Sequence, residues 1–131
     1  MRVVFDTNIF VSALTMPGGR VEAAILKAVE GEVQLVISRA IIQEVLGVLA
    51  RKFDRNREEL ARVAVYLSEL AELVSPRRRF RILRDEPDNR ILECAVAGKA
   101  NAIVTGDQAI LQLGAFRGIR ILTLREFLQS A

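Results

Sequence analysis

The chain of 131 residues has the length of one domain, since domains commonly span roughly 100–200 residues. Hydrophobic residues make up 51% and charged residues 27%, which excludes disordered, collagen-like and low-complexity classes. Histidine is absent and Cys94 is the one cysteine, which excludes imidazole catalysis, thiolate zinc sites and an intramolecular disulfide. No apolar run approaches the roughly 20 residues of a membrane span, and Asp6 interrupts any signal-peptide segment. We therefore expect a single cytoplasmic domain over 1–131 with no membrane partner.

The net charge of +3 comes from 19 basic and 16 acidic residues, and most of the basic residues are arginines. Arginine suits bidentate phosphate binding better than lysine does. Two interpretations of an arginine cluster stay open, namely a solvated surface and a site for a polyanionic partner. Five arginines form such a cluster: Arg77, Arg78, Arg79, Arg81 and Arg84.

The first half of the chain alternates short apolar runs with segments of helical periodicity. Ser38 is predicted to cap one helix, and Asn56 with Glu59 resembles a capping box for the next. In chain order we predict a strand at 3–5, helices over 8–14 and 20–30, a strand at 33–37, a helix over about 39–52 and a helix from Asn56 to about 73.

The second half continues the alternation. Asp88 is predicted to cap a helix, and Thr123 with Glu126 forms a capping box for a terminal helix. The predicted elements are a short strand at 80–83, a helix over about 89–99, a strand at 102–104, a short helix over 108–113, a strand at 119–122 and the terminal helix. Short apolar strands alternating with helices predict an α/β fold, a parallel sheet with helices on both faces.

Four acidic residues fall at one edge of this predicted sheet. Asp6 ends the first strand, and Asp107 follows the strand at 102–104. Asp88 begins the helix that leads into that strand, and Glu44 lies one or two turns into the helix after the second strand. Because ligands of open α/β sheets bind beyond the carboxyl ends of the strands, we expect the four carboxylates to converge there.

Each acid also has a purely structural interpretation. Asp88 can be an N-cap, Asp107 a turn or cap residue, and Glu44 an exposed helix acid. Caps explain each residue separately but not the convergence of all four. Carboxylates ~4–6 Å apart repel one another unless a cation lies between them, and oxygen ligands favour Mg²⁺ or Mn²⁺ over zinc. The pattern therefore suggests metal-assisted phosphodiester hydrolysis, with the arginines holding the phosphate backbone.

Three stretches of the chain, 3–14, 84–107 and 118–128, resemble the PIN domain family. The first contains Asp6-Thr7-Asn8, and the second contains Asp88-Asn89 and Thr105-Gly106-Asp107. The resemblance covers essentially the whole chain, and the combination of the three motifs makes it specific. The subgroup that the chain resembles most is that of the toxin components of toxin–antitoxin systems, related to VapC-type toxins.

The resemblance implies a three-layer α/β/α domain and a Mg²⁺- or Mn²⁺-dependent endoribonuclease that hydrolyses RNA with a metal-activated water. It implies a homodimer and inhibition by a cognate antitoxin protein. In addition, Asn8 and Thr105 match positions that organise the first and last acids, and Asp85 matches an acid often seen before the third. The family's catalytic and metal-binding acids correspond to Asp6, Glu44, Asp88 and Asp107. The RNA-binding residues that we predict are Arg77, Arg78, Arg79 and Arg81.

One departure from the family pattern concerns the third acid. Relatives often have Asp-Pro before it, whereas this chain has Asp85-Glu86-Pro87-Asp88, which leaves open which acid contacts the metal. A haloacid-dehalogenase-like phosphatase is unlike this chain because it needs a second aspartate where Asn8 stands. Two other functions stay open: a PIN nuclease of RNA processing or quality control, and a catalytically silent RNA- or protein-binding module.

Overall fold

A computed structural model describes residues 1–130. Six strands form one sheet in the order β3-β2-β1-β4-β6-β5. Every neighbouring pair is parallel except β5 and β6, which form an antiparallel hairpin. The strands are β1 (Arg2–Phe5), β2 (Gln34–Ser38), β3 (Glu72–Val74), β4 (Ala102–Val104), β5 (Ala115–Phe116) and β6 (Ile119–Leu122).

Seven helices flank the sheet within residues 1–130, which confirms the predicted α/β architecture. Helix α3 packs against α1, α4 and α5, and α2 packs against α7. No single helix in this range has the length and apolar character to cross a membrane; α1 and α2 pass that test only jointly, with a 105° bend between them. The helices are α1 (Thr7–Thr15), α2 (Gly19–Val29), α3 (Arg39–Phe53), α4 (Arg57–Leu70), α5 (Glu86–Ala97), α6 (Gln108–Leu111) and α7 (Leu124–Gln129).

The strand order reverses beside β1. The chain adds β2 and β3 on one side of β1 and then returns to place β4 and β6 on the other side. Phe5 is paired with Val104, so the residues that follow β1 and β4 emerge side by side. The Asp6 amide donates to the Val104 carbonyl at 3.0 Å, which extends the pairing by one residue. Such a reversal point is where ligands bind in open α/β sheets.

The core beneath this point is apolar and contains packed aromatic rings. Residues 3–5 and 102–104 are fully buried, as expected for parallel strands covered on both faces. The Phe5 ring lies 5.8 Å from the ring of Phe10 and meets that of Phe127 edge-on at 5.5 Å. Such contacts stabilise aromatic pairs beyond their buried area. The strand end that carries Asp6 is therefore rigidly supported.

Three of the predicted helix caps are confirmed. The Ser38 hydroxyl accepts from the amide of Ile41 at 3.3 Å. Asn56 with Glu59, and Thr123 with Glu126, form reciprocal capping boxes. These contacts lie within four residues of chain, so short-range sequence is sufficient to specify them.

Four local predictions are wrong. Helix α4 ends at Leu70, because the next residues pair with β2 as strand β3 and find their hydrogen bonds there. No strand forms at 80–83, where side chains of α5 bind the backbone instead. Helix α5 begins at Glu86, with Pro87 in its first turn, where a fixed φ suits a helix start. Asp88 is therefore not the N-cap, a place that Asp85 takes.

Candidate active site

Asp6 and Thr105 meet where β1 and β4 end. The Asp6 side chain is buried, with 6% of the residue exposed, and the Thr105 hydroxyl donates to its Oδ2 at 2.6 Å. The same hydroxyl oxygen accepts from the backbone amide of Asp107 at 3.0 Å. Thr105 therefore links the end of β1 to the loop after β4, the organising position that the resemblance assigns to it.

Asp107 and Asp88 approach from the starts of two helices. Asp107 is the N-cap of α6, and its Oδ2 accepts from the Ile110 amide at 3.1 Å. The structural interpretation of Asp107 is therefore correct, but a cap occupies one carboxylate oxygen and leaves the other for a ligand. Asp88 lies in the first turn of α5, and its Oδ2 is buried without a hydrogen-bond partner among residues 1–130.

Burial and neighbouring aspartates raise the proton affinity of Asp88 and Asp6. The pKa of Asp88 is raised to about 6, chiefly by burial and then by the charges of Asp107, Asp6 and Asp85 in that order of importance. Burial also raises the pKa of Asp6, while the Thr105 hydroxyl opposes the shift and the charge of Asp107 adds to it. Because a shifted pKa measures the cost of the charged form, this cluster favours a bound cation.

Glu44 lies at the same edge but does not join the aspartates. Its Oε1 is 4.0 Å from Nη2 of Arg51 on the same helix. It borders a depression of about 160 Å³ that Thr7 and Pro87 also line. Its charge is not among those that shift the pKa of Asp6 or Asp88. The predicted convergence of four carboxylates is therefore not seen for this side chain, which lies beside the Arg51 guanidinium instead.

The site fits a divalent metal ion by its chemistry. Within residues 1–130 no three acidic side chains stand close enough together to hold one ion as they are. Mg²⁺ keeps several waters and usually binds only one or two carboxylates, so it does not need three at once. Asp6, Asp88 and Asp107 supply oxygen ligands alone, and the buried Asp88 Oδ2 lacks a partner that such an ion would provide.

The two other residues matched to the family support the site through their backbone. The Asn8 amide stabilises the charged form of Asp6, while the Asn8 side chain is exposed. The Asp85 carbonyl accepts from the Asp88 amide at 3.1 Å, and its side chain makes no capping hydrogen bond. Asp85 therefore positions the start of α5 and adds negative charge near Asp88.

Comparison with known proteins places this arrangement in a family. The family model described as "PIN domain" matches residues 2–109. The chain belongs to the PIN domain family. A protein of Methanocaldococcus jannaschii, described as uncharacterized protein MJ1680, is 31% identical over 118 residues, which cover 86% of this chain and 75% of that protein.

Two solved structures share the fold of this PIN domain. VapBC2 from Rickettsia felis, solved with a DNA fragment from its promoter, matches with a TM-score of 0.68 and 15% identity, over 94% of this chain and 98% of that one. VapBC-1 from nontypeable Haemophilus influenzae matches with a TM-score of 0.66 and 16% identity, over 95% and 99% of the two chains. The fold is therefore that of a VapC-like PIN domain.

The arginine-rich segment 76–84, which we term the arginine strap, is tied to α5. Asn89 is fully buried, and its Oδ1 accepts from the amides of Ile82 at 3.0 Å and Leu83 at 2.8 Å. Its Nδ2 donates to the Leu83 carbonyl at 2.9 Å. The Asn89 side chain thus forms hydrogen bonds with backbone groups of Ile82 and Leu83, which would pair with a neighbouring strand if this segment were a strand. The exposed residues of the strap include Arg77, Arg78, Arg79 and Arg81.

The middle of the strap is anchored at Phe80. The buried Glu93 accepts from the Phe80 amide at 2.7 Å, and its other carboxylate oxygen lies 3.0 Å from Nε of Arg90. The Phe80 ring meets Phe116 edge-on at 5.7 Å, and the Arg117 guanidinium lies 4.7 Å from its centre. The strap is therefore fixed in place at Phe80 by α5 and by the β5–β6 hairpin.

The anchoring role of Asn89 and Glu93 is not predicted by the sequence motifs. Both are buried polar residues four positions apart on α5, so they lie on the same face of the helix. Ile91, Leu92 and Cys94 beside them are buried and apolar. A polar pair at helical spacing within an apolar stretch is the signal that would have indicated them.

We expect Asn89→Ala to loosen the strap. Removal of the amide leaves buried backbone groups of Ile82 and Leu83 unpaired, which lowers the free energy of unfolding by about 1–3 kcal/mol. Urea unfolding measures the loss, and hydrogen exchange at those two amides is expected to accelerate. Asn56→Ala is the control, since it removes an exposed cap worth ~1 kcal/mol away from the strap. Equal exchange at Ile82 in both variants would contradict the anchoring role.

We expect Thr105→Val to weaken the site while keeping its shape. The change removes the hydroxyl that stabilises ionised Asp6 and accepts from Asp107, so the pKa of Asp6 rises further. Isothermal titration is expected to show Mn²⁺ affinity lowered about 10–100-fold, the usual effect of losing a group that orients a ligand. Thr15→Val is the control, because that hydroxyl bonds only the Val11 carbonyl at 2.7 Å. Unchanged Mn²⁺ affinity in Thr105→Val would remove this role.

Proposed function

We propose that this PIN domain is a Mg²⁺- or Mn²⁺-dependent endoribonuclease that acts in the cytoplasm as the toxin of a toxin–antitoxin pair. The observation that carries the proposal is the aspartate cluster at the reversal point of the sheet, where the charge of Asp107 raises the pKa of both Asp6 and Asp88. Membership of the PIN family and the fold shared with VapBC structures support it.

The aspartates and Thr105 contribute to the proposed phosphodiester hydrolysis in different ways. Bound Mg²⁺ or Mn²⁺ lowers the pKa of a water molecule and offsets charge that develops on the phosphate. Asp6 and Asp107 present carboxylates that Thr105 and the start of α6 hold in place, so little reorganisation is needed when the ion binds. Asp88 supplies a buried oxygen that has no hydrogen-bond partner among residues 1–130.

Glu44 is the fourth acid of the proposed site. Its pairing with Arg51 is long, at 4.0 Å, and the Arg51 side chain is largely exposed, so the contact is weak. Little interaction energy is therefore lost when the Glu44 side chain turns toward the aspartates, once a cation offsets their repulsion. We propose that it does so when the metal and the substrate are bound.

The exposed arginines and the VapBC neighbours suggest the partners. Arg77, Arg78, Arg79 and Arg81 are exposed on a held segment, which suits contact with an RNA backbone. The two similar structures are VapBC assemblies, one of them with promoter DNA. We propose a cognate antitoxin protein as a partner of this chain, and a homodimer as its functional form.

The test is cleavage of single-stranded RNA in the presence of Mg²⁺, Mn²⁺ or EDTA, with Asp6→Asn purified in parallel as a control for contaminating nucleases. We expect the wild type to cut only with metal and the variant not to cut at all. Equal cutting by both proteins would refute the assignment of the site. If neither cuts, calorimetric titration with Mn²⁺ separates a narrow RNA preference, with metal bound, from a silent binding module, without metal binding.

A further inference from the structure

A second, strongly basic cleft lies next to the aspartate site. It measures about 430 Å³ and opens where β2 and β3 end. Arg39, the first residue of α3, lines one wall, and the strap lines the other. Four arginines from these two segments border it: Arg39, Arg77, Arg78 and Arg79.

The positive charge of this cleft is not neutralised by the protein itself. All four arginines are exposed, and none forms an ion pair within residues 1–130. Glu93 is the acidic residue that lines the cleft, and it is already engaged by Arg90 and by the Phe80 amide. Guanidinium groups held this close repel one another, so a polyanion that bridges them is favoured.

The cleft adjoins a depression beside the aspartate site. Ala40 and Arg90 line both the basic cleft and the depression that Thr7 and Glu44 border. Thr7 directly follows Asp6, and Pro87 directly precedes Asp88, so this depression lies next to two of the aspartates in the chain. Adjacent strands lie about 4.8 Å apart, and β3 is the second strand from β1, so the path along the edge is ~10 Å. That span matches a few nucleotides of single strand.

We propose that this basic cleft binds the phosphate backbone of the substrate strand beyond the cleavage point. The inference rests on the proposed function, and it adds Arg39 as an RNA-contacting residue and a direction for the strand, from β1 toward β3. A path that runs from the aspartates to the arginines favours a continuous RNA strand over an acidic polypeptide, because an acidic polypeptide would not bind at the aspartates. Affinity therefore depends on RNA long enough to reach from one site to the other.

The test measures binding without cleavage, by fluorescence anisotropy with labelled single-stranded RNA of 2 and 12 nucleotides and Ca²⁺ in place of Mg²⁺. Arg39→Ala/Arg78→Ala is the cleft variant, and Arg57→Ala/Arg62→Ala on α4 removes the same charge from exposed positions outside the cleft. Thermal unfolding establishes that both variants are folded. Poly-glutamate serves as the acidic polypeptide probe.

For the cleft variant, we expect the dissociation constant of the 12-nucleotide RNA to rise about 10-fold. The slope of log K against log salt should fall by ~1.4, since each phosphate contact to a single strand contributes ~0.7. The 2-nucleotide RNA, which is too short to reach from the aspartates into the cleft, should change much less, and the α4 variant should bind both RNAs as the wild type does. Equal losses in both variants, unchanged binding of the 12-nucleotide RNA, or tighter binding of poly-glutamate than of RNA would each overturn the proposal.

The same measurements separate this inference from the proposed function. If the wild type binds the 12-nucleotide RNA through the cleft but cuts no RNA with Mg²⁺ or Mn²⁺, the nuclease proposal fails and the cleft stands. If the wild type cuts RNA while the cleft variant binds and cuts it equally well, the proposal that the cleft binds RNA is refuted and the nuclease proposal is supported.

Discussion

Replacement of Asp6 by asparagine is expected to abolish RNA cleavage while the protein stays folded. The substitution keeps the size of the side chain and a carbonyl oxygen that can accept from Thr105, but it removes one charge from the cluster. Loss of a group that stabilises transition-state charge typically costs about 10²–10³-fold in rate, and a metal ligand is expected to cost at least as much. The same result is expected for Asp107→Asn, whose amide oxygen can still cap α6. Cleavage of a labelled RNA with Mn²⁺ measures the effect.

The stability of these variants provides a second readout. Because the charge of Asp107 adds to the raised pKa of Asp6, neutralising either residue removes repulsion, and Tm in EDTA is expected to stay equal or rise. Asp54→Asn is the matched control: this residue ends α3 in the left-handed region, which asparagine tolerates, and it lies outside the site. An unchanged cleavage rate in Asp6→Asn would remove Asp6 from the mechanism.

Metal-free protein is expected to become less stable as the pH rises from about 4 to about 6. The pKa of Asp88 is raised from 3.8 in its ordinary state to about 6 in the fold, so the folded form binds this proton more tightly than the unfolded form. The resulting stabilisation is complete below the ordinary pKa and is lost as the pH passes through 6. Tm measured across this range in EDTA should fall, and Asp88→Asn should flatten the slope.

Mn²⁺ is expected to reverse this dependence, since the ion and the proton compete for the same carboxylate. Affinity for Mn²⁺ should therefore fall as the pH is lowered through 6. Glu126→Gln is the control, because the amide and hydroxyl of Thr123 lower the pKa of Glu126, so its shift is opposite in direction to that of Asp88. A slope that persists unchanged in Asp88→Asn would show that another group causes it.

Short-range signals in the sequence were enough for much of the fold. Strands at 102–104 and 119–122 lie where apolar β-branched runs predict them, and Ser38 and Thr123 cap the helices that their spacing indicates. The three aspartates also lie at the same edge of the sheet as expected, because parallel strands bring their carboxyl ends to one edge whatever the details of the loops. Thr105 takes its predicted place for the same reason.

Longer-range contacts overrode the local pattern elsewhere. Leu73 continues the helical periodicity of α4, yet it lies in β3 because pairing with β2 satisfies its backbone. Hairpin strand β5 is two residues long and depends on a turn at Arg117 and Gly118, both at positive φ. Neither element has a strong local signature, so only the assembled sheet reveals them.

The sequence by itself determined the α/β class and the family, and it placed the aspartates of the candidate site at one edge of the sheet, because these follow from strand ends and from motifs of a few residues. Only the tertiary structure decided that Glu44 turns to Arg51, that Asn89 and Glu93 hold the strap, and that Arg39 shares a cleft with arginines almost forty positions away. Those outcomes depend on charges and hydrogen bonds between segments distant in the chain, and their strength is set by the burial that folding creates.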